Sequence, residues 1–229
     1  SAASDVYKRQ VLMNSVSVLY GARIGNGNVI FPGAVISAVP QDLKFRGEDT
    51  TAEVGDNNKI RENVTINRGT AAKGKTCVGS GNLLMESVHV AHDAFVGNDC
   101  IIGNGTKLAG EIIIDDHAII SANVLMHQFC RVGGYTMVGG GTRFSQDIPP
   151  YTICAREPVA YCGLNLVGLR RRGFSNELIE NIHNAYRIIY QGGVPLNEAL
   201  QKVREEVPAS PEINYIIEFI ENSKRGFVH

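Results

Sequence analysis

The chain has 229 residues, a net charge of −1, few aromatic residues (7%) and no tryptophan. A chain of this length can bury one large core or a large and a small one, and its balanced charge excludes a general attraction to nucleic acid. No apolar run approaches the roughly 18 residues of a membrane span, and five cysteines without a CxxC pair indicate reduced thiols in the cytoplasm.

The N-terminal part shows a six-residue spacing that is interrupted twice. Residues 1–10 carry little pattern and are interpreted as a tag, a foreign leader or a frayed end that contributes nothing to the prediction of the fold. From Leu12 onwards, apolar residues recur every six positions. The spacing breaks at 41–53, where Asp42 and Glu48 occupy apolar places, and again at the basic segment 71–76. Both segments are predicted to be loops that leave a regular scaffold.

The segment 78–149 is an unbroken block of hexads. Its first positions are all apolar: Val78, Leu84, Val90, Val96, Ile102, Leu108, Ile114, Ile120, Met126, Val132, Val138 and Phe144. At this apolar content, chance would give such a run about once in 20,000 registers. A six-residue unit is typical of a short strand and a tight turn, and three units form a triangular coil of about 18 residues. The sequence therefore predicts a mainly β protein with a parallel β-helix over 11–156.

Turn and core positions within the hexads can also be predicted. Glycine and asparagine tolerate positive φ, so nine of them are predicted to form the turns: Gly25, Asn26, Gly55, Asn57, Asn58, Gly97, Asn98, Gly103 and Asn104. Small or β-branched residues at the fifth place are predicted to be core: Ala34, Val64, Val88, Ala94, Thr106, Ala118, Val124, Thr136 and Thr142. Cys100 and Cys130 share that place and are interpreted as core residues.

The last third of the chain is predicted to be helical. Residues 151–172 are interpreted as a connector with a basic run at 170–172. Ser175 can cap a helix that ends at Gly192, a second helix covers about 197–206, and Ser210 with Pro211 opens a third. We predict a small C-terminal helical domain, with its connector, over 157–229.

The coil period places candidate catalytic residues together. Positions 92, 110 and 128 differ by multiples of 18, so His92, Gly110 and Gln128 should form one column across coils about 4.8 Å apart. Histidine titrates near neutral pH and can act as a general base, and a glycine N–H can stabilise an oxyanion. Asp93 could orient the imidazole, and His89 lies across the same corner.

Two other interpretations remain open at this stage. His89, His92 and His127 could hold zinc, as in carbonic-anhydrase-like hexapeptide proteins. The spacing differs from the His-x4-His pair of those proteins, so we predict no metal and no cofactor. A purely structural β-helix would not require the polar column. His117, on another turn, is interpreted as a solvated corner residue.

Several longer segments resemble one enzyme family. VPQDLKFRGE (39–48), IRENVTINRGT (60–70), the HVAHD and MHQFC motifs and GLNLVGLRRRGFS (163–175) are similar to the UDP-N-acetylglucosamine O-acyltransferases that begin lipid A synthesis, especially Bacteroidetes forms. The resemblance implies a left-handed β-helix and a homotrimer with active sites between subunits. It also implies transfer of an (R)-3-hydroxyacyl group from acyl carrier protein to the 3-hydroxyl of UDP-N-acetylglucosamine, without a cofactor.

The resemblance assigns roles position by position. It implies that His92 is the general base, that Asp93 supports it and that Gly110 donates to the oxyanion. Substrate-binding residues implied in the same way are Asp42, Lys44, His89, His127, Gln128, Gly140, Asn165, Arg171 and Arg172. Glycine at 140 implies room for a long acyl chain.

Three features depart from the family pattern. Glu111 replaces a histidine, Val167 replaces an acidic residue, and family members open with further hexads where this chain has residues 1–10. The alternative within the pathway is the UDP-acylglucosamine N-acyltransferase, which normally carries an additional N-terminal nucleotide-binding domain.

Overall fold

The computed structural model describes residues 5–6 and 9–229, and three sheets wind through most of them. Sheet A contains β1 (Asp5–Val6), β4 (Ala22–Ile24), β7 (Thr51–Val54), β10 (Lys75–Val78), β13 (Phe95–Val96), β16 (Ile113–Ile114) and β19 (Arg131–Val132). Sheet B contains β2 (Val11–Leu12), β5 (Val29–Ile30), β8 (Lys59–Ile60), β11 (Leu83–Leu84), β14 (Ile101–Ile102), β17 (Ile119–Ile120), β20 (Met137–Val138), β22 (Thr152–Ala155) and β23 (Ala160–Leu164). Sheet C contains β3 (Ser17–Val18), β6 (Val35–Ala38), β9 (Thr65–Asn67), β12 (His89–Val90), β15 (Lys107–Leu108), β18 (Leu125–Met126) and β21 (Arg143–Phe144).

The chain visits sheets A, B and C in turn, which builds a parallel β-helix. His89 pairs with Lys107 and Val90 with Leu108, so three hexads make one coil in the unbroken block. Every first-place residue of that block is buried, and so is every predicted fifth-place residue. The hexad interpretation is therefore confirmed: the strand occupies places six and one, and the aliphatic first place fills the core.

The three edges of the prism are named here by the sheets they join. The A–B corner includes 25–28, 55–58, 79–82, 97–100, 115–118 and 133–136. The B–C corner includes 31–34, 61–64, 85–88, 103–106, 121–124 and 139–142. The C–A corner includes 19–21, 39–50, 68–74, 91–94, 109–112 and 127–130.

The turn conformation was predicted at the wrong place in the hexad. Positive φ recurs at place four, for example at Gly81, Asp93 and Gly105, and Asn57 alone among the nine predicted residues has it. Glycine at place two has another cause, which is the close approach of the next coil. A methyl group on Gly55 would lie 2.8 Å from the carbonyl carbon of Gly79, so the stacking distance itself requires glycine there.

A buried asparagine ladder runs along the A–B corner. Asn28, Asn58 and Asn82 occupy successive fifth places and are almost fully buried. The Asn58 amide donates to Asn28 Oδ1 and to the Gly79 carbonyl, both at 2.9 Å, and its Oδ1 accepts from Asn82 N at 2.8 Å. Asn58 had been expected to supply a turn, but it instead satisfies buried main-chain groups of adjacent coils.

Substituting alanine for Asn58 is expected to destabilise the fold strongly. The change removes the partners of the buried Asn82 N–H and of the half-buried Gly79 carbonyl, which costs about 3 kcal/mol in the free energy of unfolding. Urea denaturation followed by circular dichroism measures the loss. Asn104→Ala, at an exposed turn position, is the control, and equal stability losses in both variants would contradict the ladder's role.

Both sequence excursions leave the prism at the C–A corner. Val90 and Leu108, which pair across an uninterrupted coil, are three hexads apart in sequence. Ile36 and Ile66 also pair, but they are five hexads apart, and Ile66 and Val90 are four hexads apart. The first excursion therefore inserts the length of two hexads and the second that of one. Their ends differ slightly from prediction, because 51–53 belong to β7 and 75–76 belong to β10.

The segment after the last hexad is more ordered than a connector. β22 continues sheet B in parallel, and β23 pairs antiparallel with it. Helix α1 (Leu166–Arg171) follows, and it was missed because its six residues show no apolar stripe. The three predicted helices are confirmed as α2 (Asn176–Gln191), α3 (Leu196–Glu206) and α4 (Pro211–Glu221), with Ser175 and Ser210 as N-caps.

The helices form a second apolar cluster on the last coils. Ile182, Tyr186 and Phe219 are among its buried members. Tyr215 of α4 ties it to the β-helix, since its hydroxyl donates to Asp115 Oδ2 at 2.5 Å and accepts from Gly134 N at 2.8 Å. Burial raises the pKa of the Asp115 carboxyl, against the effects of Tyr215 and Arg131.

Strands continue beyond both predicted ends of the β-helix. Asp5 and Val6 pair with Arg23 and Ile24, so sheet A includes two residues of the N-terminal stretch, whose origin stays a prediction. Residues 1–4 and 7–8 lie outside the described residues. Sheet B extends to Leu164, beyond the expected end at 156, and the division into domains at 156 and 157 stays a prediction.

Candidate active site

The predicted column is present at the C–A corner. Glu111 N donates to the His92 carbonyl at 3.1 Å, and Phe129 N donates to the Gly110 carbonyl at 3.2 Å. These main-chain bonds hold the turns that carry His92, Gly110 and Gln128 directly over one another. Because both excursions leave from this corner, the loop that carries Asp42 and Lys44 belongs to it as well.

His92 and Asp93 form a hydrogen-bonded pair. Nδ1 of His92 lies 2.8 Å from Oδ2 of Asp93, whose side chain is fully buried, whereas the His92 side chain is 18% exposed. A carboxylate only accepts hydrogen bonds, so Nδ1 carries the proton and Nε2 keeps its lone pair. An imidazole oriented in this way can remove a proton from a substrate hydroxyl.

Gly110 lies against the ring of His92. A methyl group on Gly110 would be 2.7 Å from Cε1 and 2.8 Å from Nε2 of His92, so any side chain would displace the imidazole. Gly110 is buried, and none of the described residues accepts a hydrogen bond from its N–H. A buried N–H without a partner is rare, and a donor of this kind can stabilise a negative charge that develops next to it.

His89 adjoins this pair from strand β12. Its Nδ1 lies 2.7 Å from the Thr65 hydroxyl, one coil away. Burial lowers the pKa of His89, and the charges of Lys107 and His92 lower it further. His89 therefore stays neutral to lower pH than a free histidine, and its ring can take part in hydrogen bonds without adding charge beside His92.

The first excursion holds Asp42 and Lys44 in a local turn. Lys44 N donates to Asp42 Oδ1 at 2.9 Å, which fixes the carboxylate, and Lys44 itself is exposed. Arg68 secures the loop, since its guanidinium lies 5.5 Å from the Tyr20 ring centroid and 5.3 Å from that of Phe45. The structure thus places both predicted residues at the C–A corner, with no direct contact to His92.

His127 and Gln128 are exposed one coil beyond Gly110. His127 Nδ1 lies 3.0 Å from the Gln128 carbonyl oxygen. A cavity of about 540 Å³ opens beside His127 and is lined partly by Leu125, Met126, Phe144 and Val159. Its apolar wall lies along sheet C under the loop between β22 and β23.

Arg172 and Asn165 are at a different edge, the A–B corner. Arg172 Nη1 lies 2.8 Å from His117 Nδ1, and the His117 ring packs 4.7 Å from that of Tyr135. His117 is therefore not the solvated corner residue that was predicted. Burial and the adjacent Arg172 lower its pKa. Asn165 is buried and caps α1, accepting from Gly168 N and donating to the Tyr135 carbonyl.

The remaining predicted positions are spread over the surface. Arg171 is exposed in the last turn of α1, near Arg172. Gly140 is at the B–C corner and is exposed. Of the departures from the family pattern, Glu111 lies 3.9 Å from Lys73 in the second excursion, and Val167 is exposed on α1. Within one chain, sheet A separates the His92 set from the Arg172 set.

Two polar contacts of the site were missed from the sequence. Thr65 holds His89, and Thr70 holds Asp93. Thr65 and His89 are paired across the second excursion and are four hexads apart in sequence. Counting four hexads instead of three would therefore have predicted the contact between them. Thr70 lies inside the excursion, where periodicity gives no register.

The described part of the chain contains neither a membrane-spanning helix nor a cluster of metal ligands. None of its helices is long and apolar enough to cross a bilayer. No group of three or more histidine, cysteine, aspartate or glutamate side chains within these residues is placed to hold a metal ion.

Comparison with known proteins assigns the family. The family model described as domain 2 of UDP-N-acetylglucosamine O-acyltransferase matches residues 147–228. The structure is similar to the UDP-N-acetylglucosamine acyltransferase of Bacteroides fragilis, with 71% identity and a TM-score of 0.94 over 96% of this chain and 87% of that one. It is also similar to the Francisella novicida enzyme, with 31% identity and a TM-score of 0.82 over 97% and 93% of the two chains.

These similarities confirm the predicted fold class, a left-handed parallel β-helix followed by a small helical domain. They also confirm that the protein is an acyltransferase. This chain belongs to the UDP-N-acetylglucosamine O-acyltransferase family.

Proposed function

We propose that the protein transfers an (R)-3-hydroxyacyl chain from acyl carrier protein to the 3-hydroxyl of UDP-N-acetylglucosamine, the first step of lipid A synthesis. The observation that carries the proposal is the His92–Asp93 pair packed against Gly110, whose N–H has no acceptor among the described residues. This arrangement provides a base and an oxyanion donor at adjacent points of one corner, which is what acyl transfer to a hydroxyl requires.

The reaction follows from the geometry of these groups. His92 Nε2 accepts the proton of the sugar 3-hydroxyl as the oxygen attacks the thioester carbonyl carbon. The carbonyl oxygen becomes an oxyanion and accepts a hydrogen bond from the Gly110 N–H. When the intermediate collapses, the C–S bond breaks, and the leaving thiolate takes the proton from the imidazolium. Asp93 stabilises the charged ring between the two transfers.

The separation of two corners supports a homotrimer. Arg172, which is proposed to bind the nucleotide, is on the A–B corner, and His92 is on the C–A corner, so a complete site needs two chains. The outer face of sheet B carries a row of apolar side chains that a second copy would bury, interrupted by Lys59 between Val29 and Leu83. Its apolar members are Val11, Val29, Leu83, Ile101, Ile119, Met137 and Ile153. Leu83 and Ile101 also line a cavity of about 530 Å³ beside Arg172.

The acyl chain and its carrier protein are proposed to contact sheet C and the loop 39–50 of the C–A corner. The cavity beside His127 has an apolar wall for the hydrocarbon chain, and Gly140 lies across sheet C from His127 with no side chain to limit the chain's length. Lys44 and Arg46 are exposed on the loop and suit an acidic carrier protein. All five cysteines are free, in keeping with a reaction in the cytoplasm.

An acyl-transfer assay tests the function. The purified protein is incubated with UDP-N-acetylglucosamine and a series of (R)-3-hydroxyacyl carrier proteins, and the acylated sugar nucleotide is measured by mass spectrometry. We expect an O-acylated product that alkali cleaves. An alkali-stable amide from a 3-amino analogue alone, or activity that follows bound zinc, would contradict the proposal.

Mixed assembly tests the two-chain site. His92→Ala and Arg172→Ala variants are each expected to be inactive in nucleotide-sugar acylation. Trimers that contain both variants should recover roughly a third of the wild-type activity, because in each such trimer one of the three sites between chains has both residues intact. The measurement is the activity of co-expressed, doubly tagged trimers. Mixed trimers as inactive as the parents would place His92 and Arg172 in the same chain's site.

A further inference from the structure

Thr70 is a buried residue of the second excursion that contacts the predicted catalytic carboxylate at both oxygens. Its N–H donates to Asp93 Oδ1 at 2.9 Å, and its hydroxyl donates to Asp93 Oδ2 at 2.6 Å. Thr70 is 7% exposed and Asp93 is 1% exposed. His92 and Thr70 thus hold the same oxygen of Asp93 from two sides.

The hydroxyl group of Thr70 can donate its proton in only one of its two hydrogen bonds. Its oxygen accepts a hydrogen bond from Ala72 N at 3.2 Å, which leaves its proton for Asp93. The result is a directed series of hydrogen bonds, from Ala72 N–H to Thr70, from the Thr70 O–H to Asp93, and from His92 Nδ1 to the same carboxylate. Such series strengthen one another when they are buried.

The backbone around Thr70 is held rigidly. Gly74 N donates to the Thr70 carbonyl at 2.7 Å, and the Thr50 hydroxyl donates to the Gly69 carbonyl at 2.6 Å. Gly69 has no room for a side chain, because an added methyl group would lie 2.3 Å from Lys75 N. The segment 68–74 is therefore a fixed turn at the C–A corner, and it holds Thr70 in one position.

Asp93 would lose its orientation without this contact. It lies at place four with φ of 60°, so its main chain is set by the coil and its N–H is bound to the Thr76 hydroxyl at 2.8 Å. The side chain can still rotate about its own bonds, and Thr70 removes that freedom. The orientation of the carboxylate then decides which nitrogen of His92 carries the proton.

We propose that Thr70 is a positioning residue for acyl transfer, which fixes Asp93 so that His92 keeps its proton on Nδ1 and its lone pair on Nε2. The proposal rests on the function proposed above. Thr70 touches neither substrate, so its effect acts through the His92–Asp93 pair.

The test compares Thr70→Val, Thr70→Ser and Thr106→Val. Valine keeps the shape of threonine and removes the hydroxyl, and serine restores it. Thr106 is the matched control, because it is fully buried at the B–C corner and its hydroxyl also makes two hydrogen bonds, both of them to the main chain. We expect Thr70→Val to lower kcat about 100-fold with little change in KM. Thr70→Ser should recover most of the activity, and Thr106→Val should lower Tm while leaving kcat near that of the wild type.

A spectroscopic measurement separates this inference from the function itself. In protein labelled with ¹⁵N-histidine, the neutral His92 ring should show a protonated Nδ1 in the wild type and a mixture of tautomers in Thr70→Val. Should the wild type transfer no acyl groups, the function fails, and the tautomer change alone decides the role of Thr70. Wild-type kcat in Thr70→Val, equal losses of kcat in Thr106→Val, or an unchanged His92 spectrum would overturn the proposal.

Discussion

Replacing His92 with alanine is expected to lower kcat for acyl transfer by about 1,000-fold, because general base catalysis by a positioned side chain contributes on that scale. The structure gives a reason to expect a loss of this size. His92 is held by Asp93, and Asp93 is held in turn by Thr70, so the substitution removes an imidazole that is already oriented beside Gly110. His89 belongs to the preceding strand, and its Nδ1 is engaged by Thr65.

The measurement is steady-state kinetics with a saturating acyl carrier substrate. His183→Ala is the control, since His183 is exposed on α2 and contacts Glu180 alone among the described charged groups, at 3.9 Å. We expect the control to match the wild type in kcat and Tm. A His92→Ala variant that retained more than a tenth of the wild-type kcat would remove His92 from the role of base.

Replacing Gly110 with alanine is expected to lower kcat about 100-fold without unfolding the protein. The new methyl group would lie 2.7 Å from Cε1 of His92, which is too close for both to stay in place. Gly110 is not among the positive-φ glycines, so its backbone conformation accepts alanine. The imidazole must therefore turn or shift away from the N–H donor, and misplacement by about 1 Å costs catalysis on this scale.

A double substitution separates this effect from a general loss of packing. If Gly110→Ala acts by displacing His92, adding it to His92→Ala should cause little further loss of activity. The Tm of Gly110→Ala should lie close to that of the wild type. Multiplicative losses in the double variant, or a large fall in Tm, would show that alanine at this position acts on the coil rather than on the base.

The column of His92, Gly110 and Gln128 was predictable because stacking makes position a matter of counting. Once the hexads are aligned, residues that are whole coils apart in sequence lie over each other whatever their identity. The aliphatic first place was equally predictable, since only the interior of the prism accepts it in every coil.

The turn chemistry was not predictable in the same way. Gly55, Asn57 and Asn58 are all residues that tolerate turns, and a repeat does not say which of them takes the left-handed conformation. Asn57 adopts the left-handed conformation, and Gly55 allows the close approach of the next coil. Asn58 is buried and hydrogen-bonds to the main chain of a neighbouring coil. The roles of these three residues depend on distances between neighbouring coils. The spacing of residues along the sequence gives no information about those distances.

The contacts of the excursions were also beyond the reach of periodicity. Thr70 and Arg68 lie where the register is interrupted, so their neighbours cannot be counted. Helix α1 is short and lacks an apolar stripe, and its place on the A–B corner depends on Asn165 and Tyr135 meeting across a long separation in sequence. The roles of Arg171 and Arg172 depend on the family resemblance and on the grouping of three arginines with Asn165, and they stay predictions.

The different lengths of the two excursions set a rule for insertions and deletions in this fold. Removing one hexad between His92 and Gly110 would move every later strand to a neighbouring sheet, and Gly110 would no longer lie over His92. Removing a whole coil would restore the alignment of the faces. At the C–A corner, by contrast, segments of very different length already connect the same two sheets. Changes in chain length are therefore tolerated most readily at the edge that carries the chemistry, where new residues can alter substrate contacts without disturbing the stack.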